Sequence, residues 1–390
     1  MTLFSQAELR DRIERLARID RASASPGEGE AAELIAAELR ELGAEARVER
    51  EDAHGGYWWP VGLLTGAAAL AGAFFGRVTA AVVGLAAALG VTNDATGSSL
   101  WFRRTLLPSR DTFNVVGEIG PRDAQRTVLL VSHHDAAHSG LVFHPELPRA
   151  IARRFPAFWA KQESTPGTMW GAVGGPLAVA VGALLGLRRL RMAGTVLSAV
   201  YAGVMADIGS RQAVPGANDN LTGVAVLLSL ARSLRDDPLP GGTRVILLST
   251  GSEESFMEGM QAFARRHFGD LPTDSTTVIC VDTVGSPNLV ALEGEGMVWM
   301  NEYPKDLLAV VHGAGSALGI DLVPNLRLRN ATDGLIALRA GYPTAALVSV
   351  DDLKLPTNYH WPTDTPENVD YGTVADCARL CRSVLERLAS

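Results

Sequence analysis

Two stretches of this 390-residue chain are so poor in charge that they constrain everything folded around them. From Tyr57 to Val91 the only charged side chain is Arg77, and Ala, Gly, Leu and Val dominate. A second such region, Met169 to Ile208, is broken by Arg188, Arg189 and Arg191. Each divides into two apolar stretches joined by a short basic turn, which is the pattern of a helical hairpin. A spanning helix needs about 20 apolar residues, with ~17 near the lower limit. Trp58, Trp59, Trp101, Phe102 and Trp170 flank the stretches, where an interfacial aromatic belt would sit. Two readings follow: membrane-inserted hairpins, or an Ala-rich helical subdomain buried in the protein or used to pair two copies. Membrane insertion is the expectation carried forward.

Outside the hairpins the sequence alternates between strand and helix patterns. Stripes of Leu9, Ile13, Leu16 and Ala17, then of Ala32, Ile35, Ala36 and Leu39, predict amphipathic helices over 7–19 and 28–43, with an edge strand from Ala46 to Glu51. Further strands are expected at Asn114–Ile119, Thr127–Ser132, Thr243–Thr250, Thr277–Asp282 and Thr344–Val350. Helices are expected at Leu221–Leu234, Glu258–His267, Asp306–Leu318, Thr332–Ala340 and Thr373–Leu388. This alternation predicts an α/β fold with a mixed, largely parallel central sheet flanked by helices. The hairpins then read as insertions, over 57–100 and 141–209, into one domain that occupies 1–390.

Composition excludes other classes. A net charge of -8 and no dense Lys/Arg run argue against a nucleic-acid surface. Three cysteines, Cys280 in an apolar run and Cys377 and Cys381 one helical turn apart, read as small core residues rather than a disulfide framework or zinc site. Met1 to Asp52 is charged and polar, without the apolar core of a signal peptide.

Five short segments place His, Asp and Glu after expected strands or at loop bends, where ligands of open α/β sheets bind. They are Ser132-His133-His134-Asp135; Gly216-Ala217-Asn218-Asp219-Asn220; Ser252-Glu253-Glu254; Asp282 at a strand end; and Tyr359-His360-Trp361-Pro362-Thr363-Asp364-Thr365. In His133-x-Asp135 a carboxylate can take one imidazole N–H while the other nitrogen binds metal. Asp219 or Asn220 can cap the following helix, and a carboxylate can also bridge two cations. Adjacent Glu253 and Glu254 can divide metal binding from proton transfer. Taken singly, each segment also reads as ordinary surface or capping chemistry. A rival pairing of His134 with His138 requires a helix and lacks the Glu that a metalloprotease helix carries. The whole set offers nitrogen and oxygen ligands of the kind that suit zinc.

The ordered set resembles metallopeptidase family twenty-eight, the group of bacterial leucyl aminopeptidases, aminopeptidase S and glutamate carboxypeptidases. Gly216-Ala217-x-Asp219, His360 followed by Asp364-Thr365, and Ala340-Gly341-Tyr342-Pro343 before a strand carry the resemblance. It implies two zinc ions per chain, held by His133, Asp219, Glu254, Asp282 and His360, with Asp219 bridging them. It also implies Glu253 as general base, Asp135 orienting His133, Tyr359 hydrogen-bonding the tetrahedral intermediate, and a cis Asp219–Asn220 peptide. Asn220 departs from the pattern, since many members have Asp there, and the stretch between His133 and Asp219 is longer than usual. The activity implied is aminopeptidase action on peptides. Glutaminyl cyclase chemistry, carboxypeptidase or deacylase chemistry on a related fold, and a metal-bearing membrane scaffold are the alternatives. The turn arginines and Arg103, Arg104 and Arg110 pull membrane orientation in opposite directions, and the expectation adopted is a catalytic domain on the cytoplasmic side.

Overall fold

The computed structural model describes residues 3–390; Met1 and Thr2 lie outside the described residues. The chain begins with α1 (Gln6–Ala17) and α2 (Pro26–Glu41). Ser5 starts α1 with a capping box, its hydroxyl accepting from Glu8 N while the Glu8 carboxylate accepts from Ser5 N. β1 (Glu45–Ala53) follows, then α3 (Trp58–Phe74), α4 (Arg77–Ala95) and the short α5 (Trp101–Leu106). β2 (Arg110–Ile119) and β3 (Thr127–His133) lead to the second insertion, which contains α6 (Glu146–Arg154), α7 (Pro156–Ala160), α8 (Met169–Leu185) and α9 (Arg188–Gly209). After α10 (Thr222–Asp236) come β4 (Arg244–Thr250), α11 (Glu258–His267), β5 (Thr276–Val281) and β6 (Asn288–Ala291). The chain closes with α12 (Lys305–Leu318), α13 (Gly334–Arg339), β7 (Thr344–Val350) and α14 (Tyr371–Ala389).

The seven strands form one sheet in the order β1-β2-β4-β3-β5-β7-β6. The four central strands, β4, β3, β5 and β7, are mutually parallel, and the edge strands are antiparallel to their neighbours. Every residue of β3 and β7 is buried, so both faces of the sheet are covered by helices. Parallel strands end on the same side, and the loops after β3, β4, β5 and β7 carry His133, Glu253, Asp282 and His360 to that side. β6, a four-residue antiparallel edge, and α6 were not anticipated from sequence, being too short to establish a period.

The four apolar stretches form a four-helix bundle. α3 packs on α9, α4 on α8, and each hairpin's two helices pack on each other. Close approach rests on small residues: a Cβ on Gly194 would come within 2.5 Å of Val179 N, and one on Gly84 within 2.7 Å of Pro176 O. Arg77 at the first turn donates to the carbonyls of Ala183 and Leu184, while Arg191 at the second donates to those of Gly72 and Phe75. The turn arginines thus satisfy the open C-terminal carbonyls of the opposite hairpin. Large apolar side chains point outward on all four helices, including Phe74 at 80% exposure, Val78 at 79%, Leu184 at 70% and Val196 at 59%. By length and composition α4 and α9 are apolar enough to cross a membrane, and α3 and α8 are shorter apolar helices.

A buried ionic network ties the bundle's foot to the catalytic side of the sheet. Arg103 of α5, fully buried, contacts Asp94 of α4 at 2.7 Å and Glu258 of α11 at 3.0 Å. Glu258 also meets His54 Nδ1 at 2.8 Å. Arg103 is therefore a neutralised structural group rather than a surface charge bearing on membrane orientation. Removing one member of a buried pair typically costs about 3–5 kcal/mol, because the partner is left buried and charged. Arg103→Met should lower the free energy of unfolding by that order, with a lower denaturation midpoint followed by circular dichroism. An unchanged midpoint would show that the network contributes nothing to stability.

Candidate metal centre

His133 is the last residue of β3, and its register opposite Thr250 of β4 brings it beside the Glu253–Glu254 turn. Its Nε2 lies 3.2 Å from Asp219 Oδ1, 3.8 Å from Asp282 Oδ2 and 4.0 Å from Glu253 Oε2. His360 Nε2 lies 3.3 Å from Asp219 Oδ2 and 3.1 Å from Glu254 Oε2. Two triads result, His133–Asp219–Asp282 and Asp219–Glu254–His360, with the ligand atoms of each within 4.8 Å of one another. They share Asp219, one oxygen turned to each. All five residues are buried.

The donor set fits a divalent cation in each triad. Asp219 Oδ2, Glu254 Oε1 and both ring nitrogens of His360 are buried without a hydrogen-bond partner among the described residues. Such orphaned acceptors are expensive unless a positive charge meets them. Their electrostatics point the same way. Burial pushes the Glu254 carboxyl up to about 7 and that of Asp282 to about 6, against the pull of the nearby histidines. Burial alone would lower His360, but Glu254 and Asp219 outweigh it and push it up to about 10. Burial likewise opposes the charged form of Asp219, yet the facing His133 and His360 hold it below the usual carboxylate range.

The surrounding residues fix these groups. His133 Nδ1 sits 3.3 Å from both the main-chain oxygen and Oδ1 of Asp135. The same Asp135 carboxylate accepts from the main-chain N–H of Glu253 at 3.0 Å and of Glu254 at 3.1 Å, and from Ser23 Oγ at 2.6 Å. It therefore positions the Glu253–Glu254 turn as well as the first histidine. The Asp219–Asn220 peptide is cis. Asn220 donates to Val281 O and accepts from Gly223 N and Thr283 N, joining the start of α10 to the end of β5. An ionised Asp has no N–H for Val281, which accounts for the amide at this position. Ser252, Phe256, Met257, Thr283 and His360 all hold φ between +49° and +63°, so strained backbone gathers around the centre.

Glu253 faces the same space. Burial, with the neighbouring Glu254, Asp333 and Asp282 carboxyls, raises its carboxyl well above the usual range despite the attraction of His133. Tyr359 is placed by ring stacking on His360 at 3.8 Å between centroids, and its hydroxyl accepts from Asn330 Nδ2 at 3.1 Å. His134 turns away to Ser249 at 3.0 Å, and His138 stacks on Trp58 at 4.2 Å. No helix spans 134–138, so the rival histidine pairing is ruled out.

The sequence reading assigned no role to three acidic residues here, although Asp364 stands within the motif that follows His360. Asp364 accepts from Asn218 N at 2.7 Å and Asp219 N at 3.1 Å, fixing the loop that carries the shared carboxylate. Glu28, buried at the start of α2, accepts from Thr112, Ala24 N and Phe113 N under the Glu253 loop. Asp333, at the start of α13, accepts from Thr250 at the end of β4. Only Asp364 had a local signal, its place four residues after His360.

These shifts set a pH dependence. Glu254 and Asp282 carry raised carboxyl pKa values when folded, so the native state binds more protons than the unfolded chain once pH exceeds ordinary carboxylate values. Stability of metal-free protein should be greatest near pH 4–5 and fall as pH rises through about 6 and 7. His360 extends the loss upward, since its stabilisation fades as pH climbs from its ordinary value towards about 10. Divalent cations should offset this loss, so the rise in melting temperature on adding zinc should grow from pH 5 to pH 8. Differential scanning fluorimetry of chelated protein checks this, and a zinc-induced shift independent of pH would contradict it.

Residues 200–385 match the family model described as peptidase family M28. Against curated protein sequences the chain has no match. Among solved structures it resembles a zinc-dependent exopeptidase from Parabacteroides distasonis, at 14% identity and TM-score 0.58, covering 100% of this chain and 99% of that one. It also resembles a glutaminyl cyclase from Bacteroides thetaiotaomicron, at 14% identity and TM-score 0.60 with 98% of both chains covered. A zinc aminopeptidase from Bacillus subtilis is similar at 14% identity and TM-score 0.58, covering 99% of this chain and 96% of that one. At such identities the likeness is one of fold. The sequence match takes in Asp219, Glu254, Asp282 and His360, whereas His133 reaches the centre from outside it. Four of the five converging side chains thus lie in the stretch, residues 200–385, that matches peptidase family M28, within a fold similar from end to end to that of zinc exopeptidases.

Proposed function

We propose that this zinc metallopeptidase is an aminopeptidase anchored in a membrane by its four-helix bundle. The observation that carries the catalytic reading is the shared Asp219 between two buried triads. His133 and Asp282 would hold one zinc ion, Glu254 and His360 the other, with Asp219 common to both. Bound there, a zinc pair supplies Lewis acidity to a scissile carbonyl and lowers the pKa of water. The protein's own contribution is placement. Asp135 holds the backbone of Glu253, whose carboxylate accepts no hydrogen bond among the described residues and stands ready to take a proton and return it to the leaving amine. Burial, which raises its carboxyl above the ordinary carboxylate range, strengthens it as a proton acceptor. Tyr359, fixed by His360 and Asn330, is the candidate donor to the tetrahedral oxygen.

The bundle supports membrane embedding through three features. Its helices of 17, 19, 17 and 22 residues are about 25–33 Å long at 1.5 Å per residue, the scale of a hydrocarbon core. Apolar side chains are exposed on every helix, so a one-sided protein partner would leave most of them in water. Tryptophans 58, 59, 101 and 170 gather at the end nearest the catalytic domain, and Arg77, Arg188, Arg189 and Arg191 lie at the other.

Glu253→Gln should retain bound zinc while turnover of aminoacyl peptides falls by about 10²–10⁴-fold. Metal analysis of wild-type protein should find two zinc ions per chain, and His360→Ala should retain fewer. Undiminished turnover in zinc-replete Glu253→Gln would remove the base assignment. One ion per chain, together with cyclisation of N-terminal glutaminyl peptides and no aminoacyl hydrolysis, would replace the peptidase reading with cyclase chemistry. Alkaline carbonate washing of membranes should leave the protein in the pellet; release to the supernatant would defeat the anchor.

A further inference from the structure

The segment from Gly140 to Trp170 is a strap whose two ends meet the foot of the bundle. At one end Leu141 N donates to the Asp207 carboxylate of α9 at 2.6 Å, and Ile208 fills the space beside Gly140. At the other, Thr168 O accepts from Tyr201 of α9 just before α8 begins. Between these points the strap touches the metal centre: the Phe143 ring lies 4.5 Å from His360 and 5.9 Å from Tyr359. The opposite side of the centre also joins the bundle, because Tyr57, immediately before α3, stacks at 4.8 Å on Phe256, two residues beyond Glu254.

α6, within this strap, is amphipathic in an unusual sense. Leu147 and Ile151, with Phe155 directly after the helix, recur every four residues, so at 100° per residue they share a stripe about 80° wide. All three are about half exposed. A stripe of this kind ordinarily packs into a core, yet here it faces outward. The face opposite the stripe is basic, Arg149 and Arg153 sharing Glu146 at 3.2 and 3.0 Å, and Arg154 borders the stripe over the Phe155 ring. Three cations against one anion leave the helix net positive. That combination suits the boundary of an anionic bilayer, where apolar side chains enter the acyl region and arginines meet phosphate groups.

We propose that α6 and Phe155 lie on the bilayer surface as an interfacial helix, so that the metal centre takes peptides whose free amino-terminus is presented at the membrane–water boundary. The proposal rests on the aminopeptidase reading and names the substrate class of that same site. Lipid is the occupant because the stripe belongs to a strap tied at both ends to the foot of a bundle already apolar on its outside.

The test uses the full chain in nanodiscs of phosphatidylcholine and phosphatidylglycerol, with two substrates. One is a soluble aminoacyl peptide; the other is the same peptide held in the bilayer by a C-terminal palmitoyl chain. In the variant combining Leu147→Glu, Ile151→Glu and Phe155→Glu, kcat/KM on the anchored peptide should fall at least about tenfold, which corresponds to about 1.4 kcal/mol. That on the soluble peptide should stay within about twofold. Equal loss on both substrates, or loss on neither, overturns the proposal. A second measurement is independent of turnover: Ile151→Cys carrying an environment-sensitive fluorophore should show blue-shifted emission quenched by quencher-bearing lipid. The native cysteines are all buried, so the label reports the introduced site. Water-like, unquenched emission overturns the placement. Wild-type protein that cleaves neither peptide sinks the peptidase reading instead, and the fluorophore still decides where α6 lies.

Discussion

Asp219 is a carboxylate buried where two histidines and two further carboxyls converge, and the rest of the catalytic side is arranged to keep it there. A buried charge of this kind persists only with compensating charge and fixed geometry. Asp364 holds the two N–H groups of its loop, Asn220 ties the following turn to β5, and Thr283 donates to its Oδ1 at 3.2 Å. Asp135 performs the same service for the Glu253–Glu254 turn. These contacts come from the segments after β3, β5 and β7 and from the start of α10, so the centre depends on the register of the whole parallel core. Unpartnered buried polar atoms gather in this one space, where a divalent cation would balance the converging carboxylates.

The second constraint is solvent. The catalytic body buries its apolar residues in the usual way, while the bundle turns Phe74, Val78 and Leu184 outward. One chain therefore presents two kinds of surface, and its junction must be rigid. Arg103 between Asp94 and Glu258 supplies one rivet there, and the strap supplies another through Asp207. Both run to within a few residues of Glu254 or His360. The insertions consequently do more than lengthen the chain; through Phe143 and Tyr57 they touch His360 and Phe256 beside the metal centre.

Much of this was legible in sequence, and for identifiable reasons. Hydrophobic periodicity located the long helices and the buried strands to within a few residues because burial on one or both faces leaves a direct imprint. The apolar hairpins stood out through their lack of charge. His133, Asp219, Glu254, Asp282 and His360 could be named because each follows a strand or a loop signal, and their order resembles a known family. Less visible were Glu28 and Asp333, which act on the centre from α2 and α13 across long sequence distances. Arg103 had been weighed as a membrane-facing charge, since sequence alone does not show that two carboxylates enclose it.

The sequence by itself determined the element types, the residues that converge at the candidate metal centre and the presence of four apolar helices. These are local properties, written in period, composition and spacing. Tertiary structure decided that Asp219 divides its oxygens between two histidines, that Asp135 holds the Glu253 turn, and that α6 exposes its apolar stripe beside the bundle. Each depends on where separate segments meet in space, and the free energy of such meetings belongs to pairs of distant residues rather than to any stretch of chain.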